Sequence, residues 1–221
     1  FSLTDQSLIC ENGHCYDLSR RGYVNLAPSH RQSGDKYDET CLKAAAACLQ
    51  AGSTHRAGCA VRRACGPFRP LHAGGCGCGE GYYARAVQAR FPEAQVIGLD
   101  LNRDAVALAA RSAERGAWFV ADLKRLPVQN TAADVVLNVF SPADYGEFRR
   151  VLTPDGELLK VVPGPDYLRE VRSAVAGYLR GGAYDNASVL AHLRAHAEVI
   201  SETPVRSVAP LSPQIRMIFC A

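Results

Sequence analysis

Three glycines at alternate positions, Gly77, Gly79 and Gly81 in "GGCGCGEGYYARA", stand where a strand should give way to a helix. Without a Cβ at these positions, backbone amides at a helix N-terminus can close on a ligand. Asp100 ends the next apolar run, "AQVIGLD", and a carboxylate at such a strand tip can accept both hydroxyls of a ribose. Together they suggest a site for an adenosine-containing ligand. A dinucleotide turn reads G-x-G-x-x-G, whereas this one reads G-x-G-x-G. Plainer readings stand beside this one: an ordinary tight turn for the glycines, and an N-cap for Asp100 on the helix that follows.

Two further strand ends carry polar residues. Asp122 closes "AWFVAD", and Asn138 lies in "NVFSPAD" with Ser141 and Asp144 close behind. Asp122 could instead be a surface acid, and Asn138 a turn residue. Near the start, Cys10 and His14 flank an Asn-Gly turn in "CENGH". That spacing suits one knuckle of a zinc ribbon, but a tetrahedral site needs four ligands. Adjacent Cys15 is poorly placed to be a third.

These residues need a scaffold. From position 71 apolar runs alternate with helical patterns: strands over 71–76, 94–100, 117–122, 133–140 and 157–162, and helices over 82–90, 103–115, 143–152, 165–180 and 186–197. Thr153-Pro154-Asp155-Gly156 reads as a turn, and two last strands are expected over 204–209 and 214–220. Such alternation predicts an α/β, doubly wound, mostly parallel sheet of seven strands with helices on both faces. The alanine-rich stretch 39–51 reads as a further helix. The expected division is a small ribbon-like module over 1–28, a linker and helical segment over 29–68, and the sheet domain over 69–221.

Composition narrows the class. The 221 residues are 48% hydrophobic and 21% charged, ordinary for a soluble globular protein. No run is long and apolar enough to cross a bilayer, and no membrane partner is expected. Net charge is +3, with arginine far outnumbering lysine and a local basic cluster at Arg20, Arg21, His30 and Arg31. Nine scattered cysteines fit a reduced, cytoplasmic protein better than a disulfide scaffold.

"GCGEG" resembles motif I of the class I S-adenosyl-L-methionine (SAM)-dependent methyltransferases. More of the chain resembles one branch of them, the bacterial large-subunit (23S) rRNA guanine-N1 methyltransferases, which carry an N-terminal zinc ribbon. The matching stretches are "CENGH" with "GYVNL", "GDKYD", "GCGEGYY", "GLD", "VAD…LP", "LNVFSPADYGEFRRVLTPDGELLKVVPGPDYL" and "YDNASVL". The resemblance implies SAM as cofactor, held by Gly77, Gly79, Glu80, Gly81, Tyr82, Asp100, Leu101, Asp122, Leu123, Asn138 and Tyr167. It implies Asn138 and Ser141 at the methyl acceptor, Cys10 and His14 as half of a zinc site, and an rRNA hairpin loop as partner. In the family a Cys-x-x-Cys pair lies about a dozen residues before the cysteine matching Cys10, which counts back to just before Phe1. The sequence departs from the family at Gly75, where an acid is usual, and over 43–58, where Thr54 replaces an aromatic.

Methyl transfer is in-line displacement at carbon, so positioning is the main task. Guanine N1 must also lose a proton, which calls for a base or a polarising hydrogen-bond acceptor: Asn138 and Ser141 could be acceptors and Asp144 a base. Tyr82, Tyr83 and Phe140 could stack on adenine or an extruded base, and could equally be packing residues. The loop lacks the Pro-Pro-aromatic motif of exocyclic amino-group enzymes and a Pro-Cys nucleophile for pyrimidine C5, which leaves a ring nitrogen. Two alternatives share the scaffold, a small-molecule methyltransferase and a SAM-binding module with weakened activity. A homodimer is left open.

Overall fold

The structure is a computed structural model that describes residues 2–4, 6–29, 72–113, 115–174 and 185–206. The linker and helix expected within 30–71, with Thr54, lie outside the described residues, as do 175–180 and 207–221.

At the N-terminus β1 (Ser2–Leu3), β2 (Ser7–Ile9) and β3 (Cys15–Asp17) form an antiparallel sheet in that order. The Asn12-Gly13 turn closes the β2–β3 hairpin. Gly13 sits at φ 78°, and Cys10 N–H donates to the His14 carbonyl at 3.0 Å.

Among the described residues a second sheet has six strands: β4 (Val24–Asn25), β5 (His72–Cys76), β6 (Gln95–Asp100), β7 (Ala117–Val120), β8 (Ala133–Val139) and β9 (Leu152–Val161). Their order is β4-β7-β6-β5-β8-β9, and every pairing is parallel. Five occupy the strands expected from the apolar runs. The sixth, β4, is a two-residue edge strand from "GYVNL", which no local pattern announces. Of the two last expected strands, the described residues 204–206 hold no regular structure.

Helix α1 (Tyr82–Arg90) links β5 to β6, and α2 (Arg103–Ser112) links β6 to β7. Helix α3 (Tyr145–Val151) links β8 to β9, and α4 (Arg169–Ala174) and α5 (Ala187–His196) follow. Alternation along β8 sorts the core into two faces. Val135 and Leu137 pack with Val87 of α1, Val106 and Ala109 of α2, and Trp118. Val136 packs on the other side with Leu99, Phe148 and Val151. Helices therefore cover both faces, as expected of a doubly wound fold.

Local expectations change at three places, the first being the helix expected from 165, which begins at Arg169 after a turn over 165–168. Helix α2 stops at Ser112 rather than 115, because Ala113 is already extended at φ −108°, ψ 129°. The predicted turn at 153–156 is an irregularity within β9. The register moves from Ala133↔Leu152 to Val135↔Glu157, so the intervening residues loop out. Gly156 allows this, since a Cβ there would lie 3.0 Å from the Ala133 carbonyl.

Candidate active site

Strand order reverses at β5, which has β6 on one side and β8 on the other. In open α/β sheets the crevice at the carboxyl ends of such strands is where ligands bind. The glycine turn starts there, with Gly77 and Cys78 N–H both donating to the Leu99 carbonyl at 2.9 and 3.0 Å. Gly77, Gly79 and Gly81 have φ of 69°, 54° and 80°, a region that favours glycine. What lies above each differs. A Cβ on Gly77 would collide with the Ser141 side chain and meet Leu123 at 3.6 Å. On Gly81 it would strike the Trp118 indole at 2.6 Å, and on Gly79 it would meet nothing within 4 Å among the described residues. The missing side chains at 77 and 81 thus make room for the protein's own residues, and Gly79 is open.

Asp100 faces that open glycine. Its Oδ2 accepts from Gly79 N–H at 2.9 Å and its Oδ1 from Asn102 N–H at 2.8 Å. The N-cap of α2 is Asn102, whose Oδ1 accepts from Asp104 and Ala105 N–H, both at 3.0 Å. The alternative role of Asp100 as helix cap is therefore set aside. Burial pushes the Asp100 carboxyl above the ordinary aspartate range, against the pull of the amides of Asn102, Gly79 and Leu101. Burial also raises the Glu80 carboxyl, and Asp100 adds to that rise. Glu80 Oε1 is buried and has no hydrogen-bond partner among the described residues. Half-buried Tyr82 meets Tyr83 edge to face at 5.1 Å, and half-buried Leu101 follows Asp100. An open glycine, two half-buried carboxyls and one orphaned oxygen fit a ligand that brings hydroxyl and ammonium donors, as SAM does.

Asn138 is completely buried. Its Nδ2 donates to the Cys76 carbonyl at 3.4 Å and the Pro142 carbonyl at 2.9 Å. Its Oδ1 accepts from Lys160 Nζ, which also donates to the Ser141 carbonyl at 3.0 Å. Burial lowers the Lys160 ammonium. Asn138 thus ties the end of β5 to the loop after β8, while Ser141 carries that loop onto Gly77. Asp144 is the N-cap of α3, accepting from Glu147 N–H at 3.0 Å. Phe140 and Tyr167 are each 42% exposed and in ring contact.

Asp122 is exposed after β7, its Oδ1 accepting from Lys124 N–H at 3.0 Å. The chain beyond it is fastened to α3. Arg150 donates to the Leu126 and Val128 carbonyls at 2.9 and 2.7 Å and pairs with Glu147 at 2.7 Å. Glu147 Oε2 accepts from Leu126 N–H at 2.7 Å. Sequence reasoning missed Trp118, Lys160 and this Arg150–Glu147 pair. The signals were there: the single tryptophan of the chain, and one lysine inside the apolar strand "ELLKVV".

Cys10 Sγ lies 3.2 Å from His14 Nδ1 across the hairpin. Tetrahedral Zn–S and Zn–N bonds of about 2.3 and 2.0 Å separate two ligand atoms by about 3.5 Å, so these two fit half of a zinc site. Among the described residues they gather no third His, Cys, Asp or Glu.

Comparison with known proteins agrees with this geometry. Residues 75–156 match the family described as "Methyltransferase domain", and residues 1–34 match "RlmA, N-terminal", a zinc-ribbon family. The chain is 36% identical over 214 residues to the 23S rRNA (guanine(748)-N(1))-methyltransferase of Streptomyces fradiae, covering 94% of this chain and 75% of that one. It is 32% identical to YxjB of Bacillus subtilis (strain 168), provisionally named a 23S rRNA (guanine-N(1)-)-methyltransferase, covering 95% and 77%. Among solved structures, phosphoethanolamine N-methyltransferase 2 of Haemonchus contortus with S-adenosylhomocysteine (SAH) shares the fold at TM-score 0.53. It is 17% identical, over 72% of this chain and 42% of that one. A Methanococcus maripaludis protein assigned as a SAM-dependent methyltransferase also matches at TM-score 0.53, with 16% identity over 76% and 80%. The chain belongs to the 23S rRNA guanine-N1 methyltransferase family, with a SAM-dependent methyltransferase fold behind an N-terminal zinc ribbon.

Proposed function

We propose that this protein methylates N1 of a guanine in a hairpin loop of 23S rRNA, in the cytoplasm where ribosomes are assembled. The observation that carries this reading is the likeness to the Streptomyces fradiae enzyme over 94% of the chain. SAM supplies an activated methyl group on a sulfonium when bound. We assign its ribose hydroxyls to Asp100, its close backbone approach to Gly79 and its ammonium to Glu80, with Leu101, Tyr82, Asp122 and Leu123 bounding the adenine side.

On the acceptor side the polar atoms divide by accessibility. Asn138 has its carboxamide engaged by Cys76, Pro142 and Lys160, so it acts as a positioning residue. Ser141 sits at the contact between acceptor loop and glycine turn, and its hydroxyl is assigned to accept the hydrogen bond from guanine N1–H. The proton would leave through that hydrogen bond to solvent, freeing the N1 electron pair for the methyl group that SAM would supply by breaking its sulfonium C–S bond to give SAH. Cys10 and His14 hold zinc as half of the ribbon site, and the ribbon serves RNA binding.

The test is transfer of labelled methyl from SAM to a 23S rRNA transcript, followed by reverse transcription. Methyl on N1 blocks Watson–Crick pairing, so a new stop at one guanine is expected. Label that stays out of RNA while SAH still binds would refute the rRNA assignment and leave the cofactor site standing.

A further inference from the structure

We propose that Phe140 and Tyr167 together form a stacking platform for one RNA base drawn out of its neighbours' stack, placed beside the cofactor turn. This rests on the rRNA reading above and names how the acceptor is gripped. Phe140 follows β8 directly, and Tyr167 follows β9 by a short loop, so both stand beyond the carboxyl ends of adjacent parallel strands. Their ring centroids are 5.3 Å apart with planes inclined by 37°. Large apolar rings left facing water at the mouth of a site are what unstacked bases settle on.

The backbone points the same way. Phe140 has φ 50° and Leu168, next to Tyr167, has φ 51°. Neither phenylalanine nor leucine adopts this region readily, and such residues persist where the surroundings hold them. The surroundings here are explicit. Phe140 N–H donates to the Val161 carbonyl at 3.1 Å, and Tyr167 N–H to the Gly164 carbonyl at 3.0 Å. Lys160 and Asn138 brace the Ser141 and Pro142 carbonyls on the far side of the turn. A glycine at 140 would take this conformation without strain, yet the chain keeps an aromatic there and leaves it exposed. Its sequence neighbour Ser141 reaches Gly77, so a base lying on Phe140 has its edge beside the residue that touches the cofactor turn. A base must leave its stack to lie flat on such rings, which selects a loop or extruded nucleotide. Tyr167 then belongs to the acceptor side rather than to the cofactor.

The experiment measures methylation of a 23S rRNA hairpin transcript containing the guanine 748 named for the Streptomyces fradiae relative, with SAH binding followed by calorimetry. Phe140→Leu and Tyr167→Leu are expected to raise KM for the hairpin about tenfold or more, the scale of one lost base–aromatic stack. Phe140→Trp keeps KM near the wild-type value, and all three bind SAH normally. Phe140→Gly is expected to melt higher while binding RNA worse, which a packing role for the ring would not produce. Leucine variants with wild-type KM overturn the platform, as does a loss of SAH affinity in Tyr167→Leu matching its loss on RNA. Should wild-type protein neither bind nor methylate the hairpin while binding SAH, the rRNA reading fails and the platform with it.

Discussion

Asp100 carries opposite pH signs for binding and for stability. Its assigned work is to accept hydroxyl donors, which requires the ionised carboxylate. Burial raises its pKa, so protonation sets in at a higher pH than for an exposed aspartate. SAH affinity should therefore weaken as pH falls through that raised value. Asp100→Asn should bind about 10- to 100-fold more weakly even at neutral pH, from the loss of charge-assisted hydrogen bonds worth about 1.5–3 kcal/mol. Fold stability moves the other way. The native state holds this proton more tightly than the unfolded chain, so the contribution of Asp100 is fully present below the unfolded value and is lost as pH rises through the folded one. Calorimetric SAH titrations and melting curves over one pH series separate the two. Gly75 offers a second prediction at this scale. It lies inside β5 without a positive φ, and a Cβ would meet Ala84 and Cys78 at 3.5 Å. Gly75→Ala should stabilise the fold by about 0.5–1 kcal/mol through the lost freedom of the unfolded chain, seen as a higher Tm.

The strand ends could be read from the sequence because each follows an apolar run and is fixed by spacing to the next, as Asp100 is to Gly81. The supports beneath them could not, because their partners lie far along the chain. Lys160 meets Asn138 and Trp118 meets Gly81 only once the sheet is assembled. Helix α1 was legible at both ends, with a glycine before it and Pro92 soon after, whereas α2 lacks a stop signal at its real end. The same limit hid the fastening of α3 to the segment after Asp122. Arg150→Met would strip the carbonyls of Leu126 and Val128 of a donor and leave Glu147 without its cation. A loss of about 2–4 kcal/mol is expected from groups left without partners, with weaker SAH binding as the Asp122 loop loosens. The hydrogen bond from Arg150 holds the Glu147 carboxyl below its usual range. The stabilisation it gives is present above the unfolded glutamate pKa and is lost as pH falls through the depressed folded value. The gap in Tm between wild type and Arg150→Met should therefore be wide at neutral pH and narrow in acid. An unchanged gap in acid would mean that the ion pair contributes nothing.

At the scale of the whole molecule, the N-terminal module is continuous with the catalytic sheet. The hairpin β2–β3 leads through the Leu18↔Val24 bridge into β4, which pairs with β7 at Phe119 and Val120. Leu26 N–H extends this by donating to the Val120 carbonyl at 2.9 Å, two residues before Asp122. Tyr23 and Val24 are buried, and Tyr23 packs in the same cluster as Trp118, Val87 and Val106. A two-residue parallel edge strand has no periodicity to betray it; the sequence suggests only that Tyr23 and Asn25 of "GYVNL" hold the ribbon against the sheet domain, which the burial of Tyr23 and the pairing of β4 with β7 agree with. Two shortened chains separate the roles of these parts. Removing residues 1–17 takes away β1 to β3 and with them Cys10 and His14, but keeps Tyr23, Val24 and Leu26. Such a chain should fold and bind SAH close to normally while losing zinc and affinity for the rRNA hairpin. Removing residues 1–27 as well exposes the β7 edge and deletes two buried side chains, at a cost of about 4–6 kcal/mol. For a chain of this length that corresponds to a fall in Tm of roughly 10–20 °C, with weaker SAH binding because the strand beside the Asp122 loop has lost its neighbour. If instead the shorter chain melts and binds SAH like the longer one, β4 contributes nothing to the sheet, and the path from ribbon to cofactor crevice does not exist.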